Sequence, residues 1–228
     1  MGITKKAQEY HEKMFPGYKS KFLETDPEFI ERFDNFAFDE VVNEEGMELD
    51  QKTRMTCILA VLLGCQGIDE FKAMLPAAMN FGVTPVEAKE IVYQAVDYLG
   101  IGRVFPFLHA VNDILTAKGV TLPLEGQATT TMENRLEKGI QSQVDIFGDG
   151  MKDFYTRTGL DYKTRELITF CFLYAQGGCE PQLTSHAAAN MRLGNDKQFL
   201  IRVISQCLPF IGYPRTLNAL RCINEAAK

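Results

Sequence analysis

The chain has 228 residues, 46% of them hydrophobic, and a formal net charge of −6 at pH 7. That balance suits a folded soluble protein, and no run approaches the roughly 20 consecutive apolar residues of a membrane span. The acidic charge, with no basic stripe or aromatic stacking motif beside it, argues against nucleic-acid binding.

The pattern predicts an all-α fold. In the first half the spacing of apolar residues, with Thr, Asn or Asp as starts and Gly as stops, predicts helices at 4–14, 27–44, 50–64, 69–81, 85–99 and 103–117. Thr84-Pro85-Val86-Glu87 reads as a capping box with Pro at the first helical position. In the second half the expected helices are 131–147, 149–158, 161–176, 180–193, 196–211 and 214–226, with Asn195 and Gln198 as a weaker cap. The segment 119–130, with Pro123, Gly126 and a Thr run, is the only linker-like composition. It divides a first unit, 1–118, from a second, 131–228. Thr56 to Leu63 and Leu167 to Ala175 are too continuously apolar for surface helices and are expected at the centre.

The two units are copies of one another. Leu49-Asp50-Gln51-Lys52-Thr53-Arg54 returns as Leu160-Asp161-Tyr162-Lys163-Thr164-Arg165, an offset of 111. Tyr98-Leu99-Gly100-Ile101-Gly102-Arg103 returns as Phe210-Ile211-Gly212-Tyr213-Pro214-Arg215, an offset of 112. Gly82 matches Gly194 and Gln94 matches Gln206, so one residue is inserted, most simply in the Gln176-Gly177-Gly178 turn. The polar positions differ. Glu166 and His186 of the second unit stand where the first has Met55 and Met74. Two ionisable groups replaced together point to a shared task and to one surviving site per chain.

Other candidates are less specific. Cys179 precedes His186 by two helical turns and sits before a helix start, where the dipole is expected to lower its thiol pKa. Glu166 reads as a carboxylate in the first turn of its helix. Arg103 and Arg215 recur in both units, as do Arg54 and Arg165, which favours structural duties for them; a bidentate grip on a substrate carboxylate is the alternative. The Met55, Met74 and Met79 patch reads as core filler. Of the six cysteines, Cys57, Cys171, Cys207 and Cys222 read as small core side chains, and no CxxC spacing or histidine cluster predicts a metal site. The charged N-terminus lacks an apolar h-region, and the expectation is a cytoplasmic protein with reduced thiols.

Thr164-Arg165-Glu166-Leu167, His186, the Gly194 turn and Phe210 to Arg215 resemble the carboxymuconolactone decarboxylase family, which is related to the alkylhydroperoxidase AhpD. Lys52-Thr53-Arg54, Ala78 to Thr84 with Glu87, and Tyr98-Leu99-Gly100 carry the same resemblance in the first half. It implies two tandem helical units, homo-oligomeric assembly with a trimer favoured, and no cofactor. It implies decarboxylation of a small carboxylated γ-lactone, with His186 as general acid/base, Glu166 as its orienting partner, and Arg165 or Arg215 for the substrate carboxylate. In the AhpD branch, Glu166, Cys179 and His186 match a Glu, Cys-x-x-Cys, His signature, but Gln182 occupies the second cysteine position. The disulfide cycle of a dithiol peroxidase cannot run as written there. A redox protein using Cys179 and a non-catalytic oligomeric binding protein are the alternatives.

Overall fold

A computed structural model describes residues 2–139, 141 and 156–228. Among them all regular structure is helical. The elements are α1 (Lys5–Met14), α2 (Phe22–Thr25), α3 (Pro27–Asn35), α4 (Val41–Asn43), α5 (Gln51–Cys65), α6 (Ile68–Asn80), α7 (Pro85–Leu99) and α8 (Ile101–Ala117). In the second unit they are α9 (Tyr162–Gln176), α10 (Glu180–Arg192), α11 (Lys197–Ile211) and α12 (Tyr213–Ala226). No helix among the described residues is long and apolar enough to cross a membrane.

The helix starts follow from local chemistry. Asp50 and Asp161 each accept the backbone N–H three residues on at 2.8 Å. Thr84 and Glu87 form the full reciprocal capping box. Such caps contribute about 1 kcal/mol apiece. The start of α11 departs from expectation: Asp196, not Asn195, accepts the Phe199 N–H at 2.7 Å, and Asn195 turns inward. The expected 27–44 helix is interrupted by a π-helical turn, Phe36–Glu40, where the Ala37 carbonyl accepts from Arg54 at 2.9 Å. The expected helix 131–147 is described only at 131–139 and 141, where 135–139 is helical, and the expected helix 149–158 only at 156–158, where 157–158 is not helical.

Two helices make the centre. Every residue from Arg54 to Gly64 in α5 and from Arg165 to Ala175 in α9 is buried. They make the most extensive helix–helix contact of the fold and are closely packed near their C-terminal ends. There Gly64 has no room for a side chain: a Cβ would lie 2.6 Å from the Phe172 carbonyl oxygen and 2.8 Å from the Ala175 Cβ.

The units exchange their third helices. Helix α7 of the first unit packs on α9, and α11 of the second packs on α5. Buried polar ties accompany each exchange. Arg54 donates to the Gln206 side chain at 2.8 Å and to Tyr10 Oη at 3.0 Å. Its repeat-mate Arg165 donates to the Gln94 side chain at 3.0 Å. One apolar core therefore runs through both units, including Cys57, Cys171, Cys207 and Cys222, each fully buried. Matching turns give the structural counterpart of the duplication: Val83 N–H to Ala78 O at 3.0 Å repeats as Asn195 N–H to Asn190 O at 2.9 Å.

Candidate functional site

Glu166 is the fifth residue of α9, just past the first turn in which the sequence reading put it, and it is completely buried. A buried carboxylate needs a partner, and it has one. Nδ1 of His186 on α10 pairs with Glu166 Oε1. The imidazole is 12% exposed.

The backbone under both residues is fixed by two buried asparagines. Asn190 Nδ2 donates to the carbonyls of Glu166 and His186, both at 2.9 Å. Asn195 Nδ2 donates to Asn190 Oδ1 at 2.8 Å and to Lys163 O at 3.1 Å. In the first unit the repeat-mates of Asn190 and Asn195 are Ala78 and Val83. All four polar positions of the second unit, the Glu–His pair and both asparagines, are therefore apolar in the first, where Met55, Met74, Ala78 and Val83 are core.

The first unit nevertheless contributes to the surviving site. The Tyr98 ring, at the end of α7, stands edge-on to the His186 ring, 5.7 Å between centroids and 85° between planes. The sequence reading used Tyr98 as a repeat anchor and in the family resemblance, not as a site residue. A signal was present: its repeat-mate is Phe210, which lacks the hydroxyl.

Cys179 lies elsewhere. It is the N-cap residue of α10, and its thiol donates to the Leu173 carbonyl at 3.3 Å. Leu173 is seven residues from Glu166 along α9, about 10 Å at 1.5 Å per residue. The small cavity beside the thiol includes Tyr174, Glu180, Arg215 and Asn218 in its walls, but neither Glu166 nor His186. Burial pushes the thiol pKa up, the Gln176 amide opposing it. The direction is opposite to that expected from the helix terminus, because desolvation outweighs the local dipole.

The two arginine candidates also separate. Arg165 is completely buried. Its guanidinium donates to Leu160 O at 3.1 Å, and to Gln94 Oε1, Glu90 Oε2, Arg157 O and Thr158 O, each at 3.0 Å. Glu90 also receives Arg157 in bidentate fashion. Arg165 thus ties the units together with its donors already engaged. Arg215 stands past the opposite end of α9, against Gly177, about 15 Å from Glu166 by helical rise. The structure brings together Glu166 and His186, and sets Cys179 and Arg215 apart from them.

A cavity of about 360 Å³ lies under the 119–130 segment, with Lys89, Glu90, Tyr93, Asn112 and Arg157 in its walls; neither Glu166 nor His186 lines it. Among the described residues no group of three or more His, Cys, Asp or Glu side chains is placed to hold a metal ion.

The family model described as the carboxymuconolactone decarboxylase family matches residues 27–113 and again 146–225. The chain belongs to the carboxymuconolactone decarboxylase family. The double match agrees with the tandem repeat, and helix α1 lies outside it. No curated protein matches the chain.

Proposed function

We propose that this member of the carboxymuconolactone decarboxylase family is a cofactor-independent decarboxylase of a small carboxylated lactone, with His186 as the group that moves the proton. The observation that carries the reading is the Glu166–His186 pair, buried on one side, braced by Asn190 and Asn195, and present in only one unit. Loss of CO2 breaks a C–C bond and leaves its electron pair on the lactone as an extended enolate. His186 delivers a proton to carbon, giving the enol-lactone, and is reprotonated from water. Glu166 on Nδ1 fixes the tautomer and orientation of the ring, so that Nε2 faces the exchange. A cytoplasmic location and assembly as a homo-oligomer, with a trimer favoured, belong to the same reading. The exposed pairs Ile101 with Phe105 and Tyr213 with Leu217, at equivalent places in the two units, support self-association.

The test is mass-spectrometric turnover of a panel of carboxylated γ-lactones in reducing buffer. One member should lose CO2 with the wild type. His186→Ala should slow that reaction by about 10²–10⁴-fold with the fold intact, the usual contribution of a positioned acid/base. Cys179→Ser should keep most activity. Equal rates for wild type and His186→Ala would overturn the assignment, and loss in Cys179→Ser alone would transfer it to thiol chemistry.

A further inference from the structure

Arg103 and Arg215 occupy the same place in the two units, the third residue of α8 and of α12. Unlike the Glu–His pair, both copies are retained. The fold brings them to one cleft of about 370 Å³, lined by Gly64, Cys65, Gln66 and Arg103 from the first unit and Gln176, Gly177 and Arg215 from the second. That volume lies within the usual range for small-molecule pockets.

Arg103 Nη1 donates to Gln176 Oε1 at 2.8 Å. The Arg215 guanidinium lies flat against Gly177, whose φ is +72°; a Cβ there would sit 3.4 Å from Arg215 Nη1. Arg215 Nη1 is buried without an acceptor, and an unpaired charged donor costs more than a neutral one. No carboxylate lines the cleft, and among the described residues neither guanidinium forms an ion pair. Glu180, across the neighbouring cavity, makes none with Arg215.

One structural explanation is that the arginines offset the C-terminal dipoles of α5 and α9. Each helix end carries about half a negative charge, so two ends balance about one of the two guanidinium charges. A positive charge remains, and the guanidiniums donate to no C-terminal carbonyl of either helix. We propose that this cleft, where the two units meet, is an anion-binding site in which Arg103 and Arg215 together hold a small molecule bearing a carboxylate or phosphate group. It is separate from the Glu166–His186 pair and does not depend on the reaction assigned to it.

The experiment is isothermal titration calorimetry of the full chain at fixed ionic strength, with inorganic phosphate and, separately, succinate. At least one probe should bind saturably, one per chain; which of them binds tells phosphate chemistry from carboxylate. Arg103→Gln and Arg215→Gln should each weaken it by about tenfold or more, as loss of a charge-assisted contact does, while His186→Ala leaves it unchanged. Arg103 is exposed, so its variant should fold whatever becomes of Arg215, with circular dichroism as the check. The bound probe should also slow alkylation of Cys65 in the wild type. Saturation by neither probe, or equal binding to wild type and the double variant, overturns the proposal.

Discussion

Glu166 and His186 are intelligible only beside Met55 and Met74. A buried carboxylate costs several kcal/mol unless paired, so an isolated loss of either residue would strand the other. Replacement of both by methionine, with Asn190 and Asn195 matched by Ala78 and Val83, is the pattern of a polar network absent as a whole. Cys179 obeys different physics. Its thiol is held up by burial and donates to a backbone carbonyl. A raised pKa leaves less thiolate at neutral pH, and thiolate is the reactive form. Cys179 should therefore react with iodoacetamide more slowly than free cysteine at pH 7.5, with the rate still climbing as pH passes the ordinary thiol range. Peptide mass spectrometry resolves it from Cys65; a rate matching free cysteine would contradict the burial argument.

At the scale of elements, helix positions were readable because capping and periodicity are local. Thr84 and Glu87, Asp50 and Asp161 start their helices where the sequence places them. What escaped were features set by neighbours. The π-helical turn at Phe36–Glu40 coincides with a carbonyl accepting from Arg54, and Asn195 is drawn inward by Asn190. Gly64 makes the same point. Its repeat-mate is Ala175, so sequence comparison alone suggests that alanine is tolerated. The crossing of α5 over α9 forbids it, since the new Cβ meets a carbonyl oxygen of the partner helix rather than a side chain that can swing away. Gly64→Ala should cost about 1–3 kcal/mol by overpacking, seen as a lower denaturation midpoint. An unchanged midpoint would show that the crossing is softer than it looks.

For the molecule as a whole, the exchange of α7 and α11 makes the two units one cooperative structure. Arg165 is central to that bond, joining α9 to Glu90 and Gln94 of the other unit. Arg165→Met leaves the Glu90 carboxylate, 1% exposed, with Arg157 as its remaining cation. Removing one member of a buried ionic network costs about 3–5 kcal/mol, and urea denaturation should register a loss of that order. A loss below about 1 kcal/mol, the range of a surface pair, would mean that Arg157 suffices alone.

Sequence by itself determined the all-α class, the duplication, the places of the central helices and the pairing of Glu166 with His186. Those follow from helical periodicity, from caps spanning three or four residues, and from comparing one copy with the other. Tertiary structure alone decided that Tyr98 reaches His186 from the first unit, that Arg165 is spent between the units, that Cys179 opens on a cavity lined by neither Glu166 nor His186, and that Arg103 and Arg215 share a cleft. Each of these depends on which helix of one unit lies against which helix of the other. That choice is made by the fit of whole buried faces, which no single stretch of chain encodes.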